Sequence, residues 1–126
     1  GLADFGTVDF GTHYTLPATN VDADNSGGAT SGISVQCSTG QDYGIAINGG
    51  ANYTTDRRMS AGGTDYVTYS LFQEAARTTP WPVNTPVART GTGTVENIIV
   101  YGRIAGGHPA VANGTYVDTL NVTLSW

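Results

Sequence analysis

Hydrophobic and polar residues alternate along the final stretch, from Gly114 to Trp126. One face carries Tyr116, Asp118, Leu120, Val122, Leu124 and Trp126, and the other carries mainly hydroxyl and amide side chains. A period of two is that of a β-strand, so the pattern predicts one long strand. The Asn113-Gly114 turn signal precedes it. Because no later segment of this sequence can pair with it, we expect the strand to lie between earlier strands or to receive one from another molecule.

Shorter alternating segments occur earlier in the chain. Residues 32–38 and 43–47 predict a hairpin, and residues 66–73 predict a further strand. The segment 96–104 is almost continuously apolar at its centre, which favours one central strand. Pro80, Pro82 and Pro86 exclude a long helix between these segments. Several short strands separated by turn signals predict an all-β sandwich, with residues 1–126 forming a single domain.

Charge and composition restrict the function. The chain of 126 residues has a net charge of −5 and no lysine, which argues against binding to nucleic acid or to an anionic membrane surface. No apolar run is long enough to cross a membrane, so we predict no membrane insertion. No catalytic motif is present, so an enzyme is not predicted, and neither is a cofactor.

The segment D-x-D-x-S-G, beginning at Asp22, is similar to the opening of a calcium loop. The twelfth position, where an acidic ligand belongs, is Ile33, and a solvated turn uses the same residue types. We therefore interpret residues 16–32 as a loop and predict no metal site.

Three features leave alternatives open. Arg57 and Arg58 could bind a carboxylate or phosphate, but we favour ion pairs with aspartates on the surface. Trp81, between two prolines, is either a core plug, which we favour, or an exposed aromatic for surface contact. The cysteine Cys37 is either a small buried apolar residue or one half of a disulfide whose partner is missing.

The ordered set of motifs in this chain resembles the spore coat protein U family, which includes the major pilins of archaic chaperone–usher pili. The matching segments are FGTVDFG, GGATSGISVQCSTGQDYGIAINGGAN, DRRMSAGGTDYVTYSLFQEAARTTPW, IVYGRI and NGTYVDTLNVTLSW. They follow the family's order and cover nearly the whole chain. Pro82 departs from the pattern, since the family tends to have glycine after this tryptophan.

The resemblance implies an incomplete immunoglobulin-like β-sandwich that is completed by a donor strand from another subunit. The expected donor-strand groove is formed by Leu120, Val122, Leu124, Trp126, Phe5 and Phe10. In the family, the cysteine that corresponds to Cys37 pairs with one on the first strand. Relative to that pattern, the chain is expected to lack its N-terminal donor segment and first strand, so the partner of Cys37 is absent from it.

The resemblance also implies a function and its partners. We expect a structural subunit of an extracellular pilus, polymerised head to tail with identical subunits and serving adhesion and biofilm formation. A periplasmic chaperone and an outer-membrane usher would handle it during assembly, on its route through the periplasm to the cell surface. The alternatives are a secreted spore or cell-surface coat protein of the same fold, and a carbohydrate-binding tip adhesin that uses Trp81.

Overall fold

The computed structural model describes residues 8, 10, 11, 18–25 and 33–126, and in these ranges the ordered elements are β-strands. The strands are β1 (Val21–Asp24), β2 (Ile33–Gln36), β3 (Asp42–Ile47), β4 (Arg57–Ser60), β5 (Tyr66–Phe72), β6 (Val87–Thr90), β7 (Val95–Ile98), β8 (Tyr101–Ile104) and β9 (Val122–Ser125). The predicted all-β class is confirmed. No helix in the described part of the chain is both long and apolar enough to cross a membrane.

The described strands form three antiparallel sheets around one core. Their orders are β1-β8-β5-β4, β2-β7 and β6-β3-β9. Alternate residues of the strands point inward, and they supply most of the buried apolar side chains. These are Ile33, Val35, Tyr43, Ile45, Ile47, Val67, Tyr69, Leu71, Trp81, Ile98, Val100 and Ile104.

The predicted hairpin between residues 32–38 and 43–47 is wrong. Strand β2 pairs with β7, whereas β3 pairs with β6 and β9, so the turn after β2 carries the chain from one sheet to another. Gly40 has a φ of 81° in this turn, a backbone conformation that glycine adopts without steric cost. Crossing between sheets is typical of an immunoglobulin-like sandwich.

The single strand predicted over residues 96–104 is two strands in different sheets. Strand β7 pairs with β2, and β8 lies between β1 and β5. At the break, the side chain of Asn25 accepts a hydrogen bond from the backbone N–H of Val100 at 2.8 Å. Val100 lies between the two strands, so its backbone N–H has no partner in either sheet. The buried Asn25 side chain provides that partner.

The predicted ion pairs of Arg57 and Arg58 with aspartates are wrong for the described residues, where neither arginine pairs with an aspartate. Arg57 is buried, and its guanidinium donates to the carbonyls of Ile47, Asn48 and Trp81 at 3.0–3.2 Å. It thereby ties the loop after β5 to the end of β3. Burial lowers the pKa of Arg57, and the nearby Tyr69, Tyr53 and Asp118 oppose that shift.

Arg58 points to the other face of β4. Its guanidinium lies 3.7 Å from the ring centroid of Tyr66 and donates to the carbonyl of Asn52. Two adjacent arginines therefore have separate structural roles, one inside the core and one on the surface of the sheet.

Part of the segment predicted as a loop, residues 16–32, forms strand β1. Asp22 on this strand accepts two hydrogen bonds from Arg103, at 2.8 and 3.1 Å. These bonds, supported by the charges of Arg77 and Arg103, lower the pKa of Asp22 against a smaller opposing effect of burial. The carboxylate is thus engaged by arginine. No group of three His, Cys, Asp or Glu side chains in the described ranges could hold a metal ion.

Candidate functional site

The candidate site is the outer edge of β9, at the side of the three-stranded sheet. Strand β9 pairs with β3 through Ile45↔Leu124 and Ile47↔Val122. Among the described residues, no strand pairs with the opposite edge of β9 or with the free edge of β2. The final segment therefore has one paired edge and one open edge within this part of the chain.

The final segment also links two sheets. Val117 exchanges two backbone hydrogen bonds with Ser60 on β4, at 2.8 and 2.9 Å. Further along, the carbonyl of Asn121 accepts from the backbone N–H of Asn48, directly after β3. The single long strand predicted over 114–126 is therefore an extended segment that changes pairing partner, and only Val122–Ser125 is a regular strand.

The backbone groups on the open edge belong to the residues whose side chains point inward. The carbonyl of Asn121 points to Asn48. Thr123 and Ser125 lie two and four residues further along the strand, so their backbone groups also point toward β3. In an antiparallel ladder, alternate residues point these groups in opposite directions. Val122 and Leu124 therefore present their backbone N–H and C=O groups to the open edge.

The predicted apolar row is only half covered. Leu120, Val122 and Leu124 pack against the core but remain half-buried, whereas the residues between them are exposed. Trp126, at the end of the row, is 85% exposed. It borders a shallow depression of about 320 Å³ that Ala88 of β6 also lines, so this depression lies on the paired side of β9. The open edge thus combines unpaired backbone groups with apolar side chains that a further strand could cover.

Asp118 is the charged member of the row and is held by several donors. The Tyr69 hydroxyl donates to its Oδ2 at 2.5 Å, and the backbone N–H groups of Ala51 and Thr119 donate to its Oδ1. The amide of Asn52 adds a longer contact of 3.3 Å. Burial, followed by this hydrogen bond and the charge of Asp118, raises the pKa of Tyr69 well above its ordinary value.

We expect Tyr69→Phe to lower the free energy of unfolding by about 1–2 kcal/mol, because a buried hydrogen bond to a carboxylate is lost. Because the folded-state pKa of Tyr69 is raised, the phenol ionises more readily in the unfolded chain. Its contribution to stability is full below pH of about 10 and declines at higher pH. Denaturant unfolding from pH 7 to 11 should show that the difference between the two proteins narrows above pH 10. A constant difference would contradict this.

Two predicted groove residues lie near the N-terminus. Phe5 is outside the described residues. Phe10 is half-buried, with its ring centroid 6.2 Å from that of Tyr69. A side chain added at Gly102 would meet the Phe10 ring at 2.8 Å, so Phe10 lies directly over β8. Phe10 is thus connected to the row through Tyr69, which donates to Asp118.

The suggested surface contact at Trp81 is wrong, because the side chain is 3% exposed and belongs to the core. The favoured interpretation as a core plug is confirmed. Its backbone N–H donates to Leu71, and its carbonyl accepts from Arg57. Cys37 is half-buried and packs against the core as a free thiol, so its pairing with a cysteine elsewhere stays a prediction.

These features define a class of protein: an immunoglobulin-like sandwich with an open edge at its last strand. Consistent with this, the chain is similar to a chain in the crystal structure of the CsuC–CsuE chaperone–tip adhesion subunit pre-assembly complex, from archaic chaperone–usher Csu pili of Acinetobacter baumannii. The TM-score is 0.64 at 21% identity, over 99% of this chain. This chain spans 38% of the length of that one, and the likeness establishes the fold.

The chain belongs to the Spore Coat Protein U domain family, which matches residues 2–123. It is also 30% identical to Protein U of Myxococcus xanthus over 134 aligned residues, which cover 96% of this chain and 72% of Protein U. The family consists of structural proteins, so the chain is a structural protein and not an enzyme.

Proposed function

We propose that this chain is a structural subunit of an extracellular pilus, assembled when a strand from another subunit adds to the open edge of β9. The observation that supports this is the coincidence of two features on the same residues. Val122 and Leu124 direct their backbone groups to the open edge, and their side chains lie half-buried beside the core. An added strand would form hydrogen bonds with these backbone groups and cover these side chains.

Strand addition explains why this edge would favour assembly. The backbone ladder provides affinity, and alternate side chains of the added strand fill the space above the apolar row. Fully burying one such side chain contributes roughly 1.5–3 kcal/mol. Head-to-tail addition of this kind does not close on itself, so it produces a filament. Left open, the same edge favours aggregation.

That aggregation hazard implies protection before assembly. The similar solved structure is a chaperone–subunit pre-assembly complex, which supports a periplasmic chaperone as the first occupant of the edge in this protein. An outer-membrane usher would then exchange the chaperone for the next identical subunit and export the fibre to the cell surface. Attachment and biofilm formation are the proposed roles of that fibre.

A surface coat is the second candidate, because the chain belongs to the Spore Coat Protein U domain family and is similar to Protein U of Myxococcus xanthus. Electron microscopy of native cells, with gold-labelled antibody against the chain, separates the two candidates. Label along thin fibres is the result we expect. Label spread over a continuous layer without fibres would contradict the pilus and favour the coat.

A further inference from the structure

We propose that Asp118 sets the register of the added strand, because it ends the apolar part of the open edge. This inference rests on the proposed function. It predicts the chemistry of the partner segment: apolar side chains beside Leu120, Val122 and Leu124, and a small or hydroxyl-bearing side chain beside Asp118.

The first argument is the chemistry of Asp118. Its carboxylate is fixed by the Tyr69 hydroxyl and by the backbone N–H groups of Ala51 and Thr119, so the charge stays at this position of the row. Asp118 also packs directly against Gly50, since a side chain added at Gly50 would collide with the Asp118 carboxylate. The carboxylate therefore has no room to move further toward that turn. An apolar group placed over this carboxylate would remove water from a charge and offer no hydrogen bond in return.

The second argument is the path of the backbone. Asn121 is bound to Asn48 at the end of β3, and Thr119 is bound to Ala51 in the following turn. Val117 is already bound to Ser60 in the other sheet. The edge that an added strand can follow without changing sheets therefore runs from Leu120 to Trp126. At about 3.4 Å per residue, this is roughly 20 Å of ladder.

Both arguments place a boundary at the same residue. A strand shifted by two residues toward Val117 would keep its side chains on the correct face, since the side-chain period is two. Alternation alone therefore does not exclude this shift. The polar boundary at Asp118 excludes this shift, because the shifted strand would place an apolar side chain over the carboxylate.

Two synthetic donor peptides test this proposal. Both carry three alternating apolar residues to lie beside Leu120, Val122 and Leu124, and they differ only in having Thr or Leu at the position beside Asp118. Binding is followed by the emission of the exposed Trp126, with the buried Trp81 as a constant contribution. We expect the Thr peptide to bind at least about tenfold more tightly, a difference of about 1.4 kcal/mol.

A double variant, Asp118→Leu with Tyr69→Phe, removes the carboxylate without leaving the phenol unpaired, and should lose or reverse the preference. If it does not fold cooperatively, the two peptides on the wild-type chain still decide the question. Equal binding of both peptides to the wild type would overturn the register proposal and leave strand addition intact. Binding of neither peptide would overturn the proposed function itself.

Discussion

Val122→Asp is expected to abolish fibre assembly. Val122 lies at the centre of the apolar row, and its backbone groups face the open edge. An aspartate there places a charge where the added strand should cover an apolar surface, and an unpaired buried charge costs several kcal/mol. Because Val122 is only half-buried in the isolated subunit, folding should be affected less than assembly.

The matched control is Thr123→Asp, one residue away on the exposed face of β9. It adds the same charge to the same strand but does not face the row, so assembly should continue. Fibre length by electron microscopy and the amount of polymer in sedimentation measure the difference. Normal fibres from Val122→Asp would show that this face of β9 is not the assembly site.

Arg57→Met is expected to lower the free energy of unfolding by about 2–4 kcal/mol, because the buried carbonyl of Trp81 and the partly buried carbonyl of Asn48 lose this donor. The carbonyls of Asn48 and Trp81 each accept from this guanidinium, at 3.1 and 3.0 Å. Methionine has a similar length but no donor. This loss is a large part of the total stability of a small domain, which is about 5–15 kcal/mol.

Arg58→Met provides the matched control, since the same change is made at the neighbouring residue. Arg58 is half-exposed, with one hydrogen bond to Asn52 and a stacking contact with Tyr66. We expect it to cost about 1 kcal/mol or less. Urea unfolding of the two variants measures the difference, and equal midpoints would contradict the structural role of Arg57.

The local alternation of apolar and polar residues correctly predicted the all-β class. It also correctly predicted which side chains of the last segment point toward the core. The period of two at Leu120, Val122 and Leu124 is a property of neighbouring residues, so it is visible in the sequence. Strand pairing was not predictable in this way. The sequence around the turn after β2 is typical of a hairpin, but β2 and β3 pair with other strands and belong to different sheets.

Long-range contacts explain the other differences. The break between β7 and β8 depends on Asn25, which is 75 residues from Val100 in the sequence. The role of Arg57 depends on carbonyls from two separate loops, and no local motif indicates that these come together. The hydrogen bond between Tyr69 and Asp118 likewise joins residues 49 positions apart.

Hydrogen exchange along β9 tests the central claim most directly. The amides of Val122 and Leu124 face the open edge, and those of Thr123 and Ser125 face β3, so one strand contains both test and control. In the isolated chain we predict fast exchange at Val122 and Leu124 and slow exchange at Thr123 and Ser125, with all four slow in the assembled fibre. Slow exchange of all four amides in the isolated chain would show that its own backbone already occupies this edge, and would contradict assembly by strand addition.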